Sequence, residues 1–254
     1  MAVGGSSKTK AKAALTAFAL LFSWWLCYLL YLWCSPAGSG WAVPADSYVQ
    51  TPDERKLIAL TFDDGPRRAT TTALLDGLAQ RGVPATFFLI GEQVPGNEDL
   101  LRRMDAEGHQ IGIHSYTHVR LTALNNADFS AEVDRTRTVL KNAVGHNDCL
   151  LRPPYGMTDA GVKRRAGAPI ILWSIDPEDW RDRNTEREVA FVLSEARDGD
   201  IILFHDIYPE SVEAALQVVD ALHEKGFYFL TVSDLFAAKG IPLKRGEVYW
   251  NAYP

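Results

Sequence analysis

Cysteine is scarce in this sequence. There are three in 254 residues, and Cys27 and Cys34 both fall inside one long apolar stretch. That leaves Cys149 alone in the rest of the chain. One thiol cannot close an internal disulfide, so the fold has to be held by its core. Beside "LLRPPYG", Cys149 reads as a small buried filler rather than a nucleophile. The body of the chain also lacks any Lys/Arg-rich run, and the formal net charge is -6. Both observations argue against nucleic acid as a partner. The dinucleotide glycine fingerprint is absent, as is any internal repeat. No Asp or Glu precedes Asp46.

What is present begins with that apolar stretch, "AALTAFALLFSWWLCYLLYLWC" at 13–34, which carries no charge. As a helix rising about 1.5 Å per residue it would span the roughly 30 Å hydrocarbon core of a bilayer. Lys8, Lys10 and Lys12 lie just before it. The positive-inside rule then keeps residues 1–12 in the cytoplasm and sends the rest outside. The expectation is a single-pass signal anchor in the cell membrane, with an extracytoplasmic domain beyond it. The rival is a secretory signal peptide cleaved after "SPA" (35–37), whose apolar region is usually shorter, about 7 to 15 residues. Residues 35–56, rich in Ser, Pro, Gly and Ala, read as a linker.

From residue 57 to about 240, strand and helix patterns alternate. "LIALTF", "ATFFLIG", "HQIGIH", the run entering "LLRPPYG", "PIILWSID", "DIILFHD" and "FYFLTVS" read as strands. Helical periodicity separates most of them, as in "NADFSAEVDRTRTVLKNAVG" and "PESVEAALQVVDALHEKG". Such alternation predicts an α/β domain with a parallel sheet. With about seven units, a (β/α) barrel is expected rather than an open doubly wound sheet. Residues 241–254 are left as a C-terminal tail.

Five polar clusters fall at the C-terminal ends of these strands: Asp63–Asp64, "HSYTH" (114–118), Arg152–Gly156, "DPEDW" (176–180) and His205–Asp206. Any one could be a turn, but in a parallel barrel those ends share the face where active sites gather. His114 and His118 are spaced i, i+4, which on a helical turn points both imidazoles at one ion. Asp64 is the natural third ligand, leaving positions open as in catalytic rather than structural sites. His205 ends a very apolar strand, where an imidazole needs a partner such as Asp179 and can then serve as a general acid. Arg152 likewise needs an anion, and Asp63 is the expected one. His109, His146 and His223 read as structural or solvated. Two histidines and a carboxylate would also suit a non-haem iron oxygenase. That chemistry has no use for the Arg152–Asp63 and His205–Asp179 pairs.

Taken in order, "TFDDGP", "HSYTH", "RPPYG", "DPEDW" and "LFH" resemble the five motifs of the polysaccharide deacetylases, carbohydrate esterase family four. The resemblance covers about 57–240. It implies the distorted barrel fold and a metal-dependent hydrolase that removes N-acetyl groups from N-acetylglucosamine residues, releasing acetate. It implies one divalent metal ion, zinc or a cobalt-like ion, on Asp64, His114 and His118. Asp63 would be the base, oriented by Arg152, and His205, tuned by Asp179, the acid. Tyr155 would supply an oxyanion N–H, while Trp180 and Leu203 would shape the acetyl pocket. A non-catalytic glycan-binding relative would be expected to have lost a ligand, the base or the acid, and this chain retains all three. An enzyme held near the outer face of the cytoplasmic membrane would meet peptidoglycan, with chitin-type oligomers or another exported polysaccharide as the alternative. No protein partner is inferred.

Overall fold

The computed structural model describes residues 55–146 and 150–253. The expected anchor at 13–34, the basic segment before it, nearly all of the linker and Cys149 lie outside the described residues. Among the described residues, no helix is long and apolar enough to cross a membrane.

The domain is an α/β fold on a parallel sheet. In chain order it runs β1 (Lys56–Asp63), α1 (Arg68–Arg81), β2 (Thr86–Leu89), α2 (Glu98–Ala106), β3 (Gln110–Ile113) and α3 (Asn126–Val144). There follow α4 (Ala160–Arg165), β4 (Ile170–Ile171), α5 (Asp179–Asp182), α6 (Thr185–Glu195), β5 (Ile201–His205), α7 (Pro209–Glu224), β6 (Phe227–Leu230), α8 (Val232–Ala238) and β7 (Val248–Tyr249). β1 is central, pairing in parallel with β5, with β6 along its first half and with β2 along its second. β3 extends the sheet beyond β2. Parallel bridges then lead from Ile113 to Leu151, from Leu151 to Ile170, and from Ile175 back to Ile202 on β5. This run of parallel pairings is consistent with a (β/α) barrel.

The strand before "RPPYG" is reduced to the bridge at Leu151, and "PIILWSID" to two paired residues and the bridge at Ile175. The segment read as a tail is tied into the domain. β7 pairs with β4, and Ala252 is fully buried, donating to Gly199 O at 2.7 Å.

Alternation along the strands decides what the sheet does on each side. Phe62, Phe87 and Phe204 stack together within one cluster of buried side chains, which also holds Leu74, Leu75, Leu78, Val218 and Leu222 of α1 and α7. A second cluster holds Ala59, Phe88, Ile171, Ile201 and Leu230. Thr61 and Asp63 on β1 share parity with Ala59, as Leu203 and His205 on β5 do with Ile201. The polar strand ends therefore rise from the second layer of side chains.

Candidate active site

Asp63 is the last residue of β1 and sits in register with His205 on β5 and Phe88 on β2. It is buried, which a carboxylate tolerates only with a partner. Arg152 is that partner. Its Nη1 donates to Asp63 Oδ1 at 2.8 Å and to Thr61 Oγ1 at 2.8 Å. Nε and Nη2 donate to the carbonyls of Ile171 at 3.1 Å and Leu172 at 2.9 Å. The guanidinium is fully buried and lies 4.1 Å from the centre of the Phe88 ring. Oδ1 of Asp63 is thus held, while Oδ2 faces His114 Nε2 at 3.6 Å.

Asp64 points into the same pocket because its backbone is left-handed, with φ 73°. The break in strand alternation thus begins at Asp64 itself, ahead of Gly65 and Pro66. Oδ1 of Asp64 is 3.4 Å from His114 Nε2 and 3.3 Å from His118 Nε2. Among the described residues this buried oxygen accepts no hydrogen bond of ordinary geometry. Burial opposes ionisation of Asp64, but His114, His205 and His118 outweigh it and bring its pKa to about 2.

The two histidines do not lie on a helical turn, as their spacing suggested. They flank a loop in which Ser115 (φ 61°) and His118 (φ 58°) are left-handed. His114 Nδ1 donates to the carbonyl of Arg152 at 2.7 Å, which fixes the tautomer and turns the Nε2 lone pair inward. One ligand atom each from Asp64, His114 and His118 lies within 4.8 Å of the others. A buried anionic oxygen without a hydrogen bond, facing two imidazole nitrogens, fits a divalent cation of the zinc or cobalt type.

On the neighbouring strand, His205 Nδ1 is 2.8 Å from Asp179 Oδ1, and the His205 backbone N–H donates to Asp179 Oδ2 at 2.8 Å. A turn delivers Asp179: Asp176 Oδ1 accepts the Glu178 N–H at 2.8 Å, and Glu178 is left-handed at φ 53°. Burial disfavours the imidazolium, but Asp179, Asp63 and Asp64 more than compensate and lift the His205 pKa to about 9. Leu203 shares the parity of His205 and is buried, and Trp180 follows Asp179 and is half exposed. These two are tied to the site through their neighbours. Tyr155, left-handed at φ 63° and exposed, places its ring edge against His118 with centroids 4.8 Å apart.

The family described as "Polysaccharide deacetylase" matches residues 50–168. Similarity to known proteins extends further along the chain. A peptidoglycan-N-acetylmuramic acid deacetylase, PdaC of Bacillus subtilis (strain 168), is 40% identical over 73% of this chain and 40% of its own length. The peptidoglycan-N-acetylglucosamine deacetylase PgdA of Listeria monocytogenes serotype 1/2a (strain 10403S) is 37% identical over 77% of this chain and 41% of its own. The solved "T48 deacetylase with substrate" is 41% identical, with TM-score 0.74, covering 77% of this chain and 96% of that one. The chain belongs to the polysaccharide deacetylase family. A family 4 acetyl xylan esterase from Clostridium thermocellum, solved in complex with a cobalt ion, superposes with TM-score 0.75 at 30% identity, over 78% of this chain and all of that one. The chain spans about 40% of the length of the two peptidoglycan deacetylases it matches.

Against this polysaccharide deacetylase framework, two features escape the motif reading. Thr61, beneath Asp63, relays Arg152 to β5 by donating from Oγ1 to Ile202 O at 2.6 Å. Asp206, the residue after His205, is buried; its Oδ2 accepts from Thr71 Oγ1, and its Oδ1 is without a partner among the described residues. Burial first, then the nearby charges of Asp64 and Asp63, push its pKa up to about 7. A Cβ at Gly65 would lie 2.5–2.8 Å from that carboxyl, so only glycine lets the turn after Asp64 rest on it. Adjacency to His205 was the available signal, but nothing in the sequence says which way Asp206 points.

Proposed function

We propose that the chain is a metal-dependent polysaccharide N-deacetylase acting outside the cytoplasmic membrane. In this reading it removes acetyl groups from N-acetylglucosamine residues of peptidoglycan, and the apolar segment at 13–34 anchors it there. The observation that carries the chemistry is the division of labour between adjacent carboxylates. Asp63 is pinned through one oxygen by Arg152, and Asp64 offers a buried free oxygen to two imidazoles. Names of the PdaC and PgdA relatives support the polymer.

A divalent cation on Asp64, His114 and His118, zinc by preference and cobalt as the alternative, would polarise the acetamide carbonyl and lower the pKa of water. The remaining steps belong to the chain's own groups. Asp63 uses Oδ2 to take a proton from water as the water oxygen attacks the carbonyl carbon. The N–H of Tyr155 donates to the oxyanion that forms. With Nδ1 engaged by Asp179, His205 presents Nε2 and gives its proton to the sugar nitrogen as the C–N bond breaks. The products are acetate and a free amino sugar. Leu203 and Trp180 wall the space for the acetyl methyl.

The test is acetate release from purified peptidoglycan, with amino-sugar analysis of the product. Expected are acetate and glucosamine, abolished by chelation and restored by zinc or cobalt. Muramic acid in place of glucosamine would move the reaction to the other sugar. Acetate from chitin oligomers with none from peptidoglycan would refute the polymer and leave the chemistry standing.

A further inference from the structure

The loop between the two histidines is held in a conformation its own sequence does not favour. Left-handed backbone is disfavoured for a non-glycine residue, and Ser115 and His118 both adopt it. The grip comes from helix α3. Glu132 Oε2 accepts the backbone N–H groups of Tyr116 and Thr117, each at 2.8 Å, and Oε1 accepts Thr117 Oγ1 at 2.8 Å. One turn along α3, the Arg135 guanidinium lies 3.7 Å from the centre of the Tyr116 ring. From the other side, the N–H groups of Gly91 and Glu92 donate to the carbonyls of Ser115 and Tyr116 at 3.0 Å each. Gly91 permits this approach, since a Cβ there would come within 2.5 Å of the Tyr116 ring.

We propose that Glu132 is a positioning residue for the metal centre: it locks loop 115–117 so that His118 stays within reach of Asp64. The inference rests on the metal-site reading above. His114 has an independent anchor in the Arg152 carbonyl. His118 is more open, with 28% of its side chain exposed, so its placement depends on the loop. Without Glu132 the loop relaxes and the ion is left with Asp64 and His114. Partners of a metal ligand characteristically act in this way, without touching the ion.

The experiment measures Zn²⁺ affinity by competition with a chromophoric chelator, and the Co²⁺ absorption spectrum, in the full chain and in E132A, E132D and E132Q. The melting temperature of each metal-free protein is recorded alongside. E132A should bind zinc about 10- to 100-fold more weakly, with an altered cobalt spectrum. Its metal-free melting temperature should fall by only a few degrees, because Glu132 is half-buried at the edge of α3. E132Q retains an amide oxygen for both backbone N–H groups and should stay within about threefold of wild type. E132D keeps the charge but withdraws it from the loop, and should resemble E132A; it decides the matter if E132A does not fold. Wild-type zinc affinity in E132A or E132D overturns the proposal. So does equal weakening in E132Q, which would place the effect in charge rather than in the hold on the loop. A wild-type chain that binds no zinc would overturn the metal-site reading as well.

Discussion

Asp179→Asn isolates how the acid is tuned. The structure holds His205 near a pKa of about 9, against an ordinary 6.5, and burial works against that rise. The lift therefore comes from anions, and Asp179 is the one in contact, at 2.8 Å. An amide at this position keeps the shape, but the charge is gone, and its single oxygen must serve both the Nδ1–H and the backbone N–H that the two carboxylate oxygens accept separately. Burial then opposes only the more distant Asp63 and Asp64. The His205 pKa should fall by about 2 to 3 units, a difference of about 3 to 4 kcal/mol. In the proposed mechanism the protonated imidazole is the acid, so activity should be lost as pH rises through its pKa. At about pH 7.5 a group with pKa about 9 is about 97% protonated, whereas one at about 6.5 is about 9% protonated. Protonation alone thus predicts about a tenfold loss near pH 7.5, shrinking as the assay is taken below about pH 6. A cation beside Asp64 weakens the anionic pull, so the wild-type alkaline limb is expected at or below about 9. The assay is acetate release across pH at saturating substrate and zinc. An alkaline limb that stays in place in Asp179→Asn, or a loss equal at every pH, would refute the reasoning.

Asp63→Asn should keep its zinc and lose about 10²- to 10⁴-fold in turnover, whereas Asp64→Ala should lose the metal; equal metal loss in both would reverse the assigned roles. Arg152→Met leaves Asp63 buried without its cation and should destabilise the fold by about 3 to 5 kcal/mol, read by denaturant titration. Asp206 has a folded pKa of about 7, above its ordinary 3.8. The native state therefore binds more protons between these values, and metal-free stability should fall as pH rises from about 4 to about 7. Asp206→Asn should flatten that slope in melting experiments, and an unchanged slope would exonerate Asp206. Full-length protein should fractionate with membranes, and recovery of a soluble chain beginning near Gly38 would favour signal cleavage instead.

Local regularities carry a good deal of this protein. Hydrophobic runs such as "LIALTF" and "DIILFHD" announce buried parallel strands because both faces of such strands are covered. Gly82 and Gly145 mark the ends of α1 and α3 because each adopts the left-handed conformation there. Polar residues at successive strand ends converge because parallel strands end on one face, and that much places Asp63, Asp64, His114, Arg152 and His205 together. What the pattern does not contain is backbone hand and long-range contact. Asp64 reaches the pocket through a left-handed backbone, which Asp tolerates better than most residues but which nothing in the local pattern requires, and the histidine loop is held by Glu132 rather than by helical spacing. β7 was invisible because two paired residues carry no periodicity. Asp206 was placed at its strand end without a role, and Glu132 was not singled out, because a carboxylate in sequence looks the same whether it meets water, a buried hydroxyl or a backbone N–H. Local pattern was enough to tell which elements form and at which end of the sheet the polar side chains gather. The expected pairing of Asp63 with Arg152 was legible too, but only the packing of distant segments decided that one oxygen of Asp63 is held while the other is left facing His114, and that Asp206 lies beneath the turn. Those placements depend on partners up to 135 residues apart along the chain, as with Thr71 and Asp206.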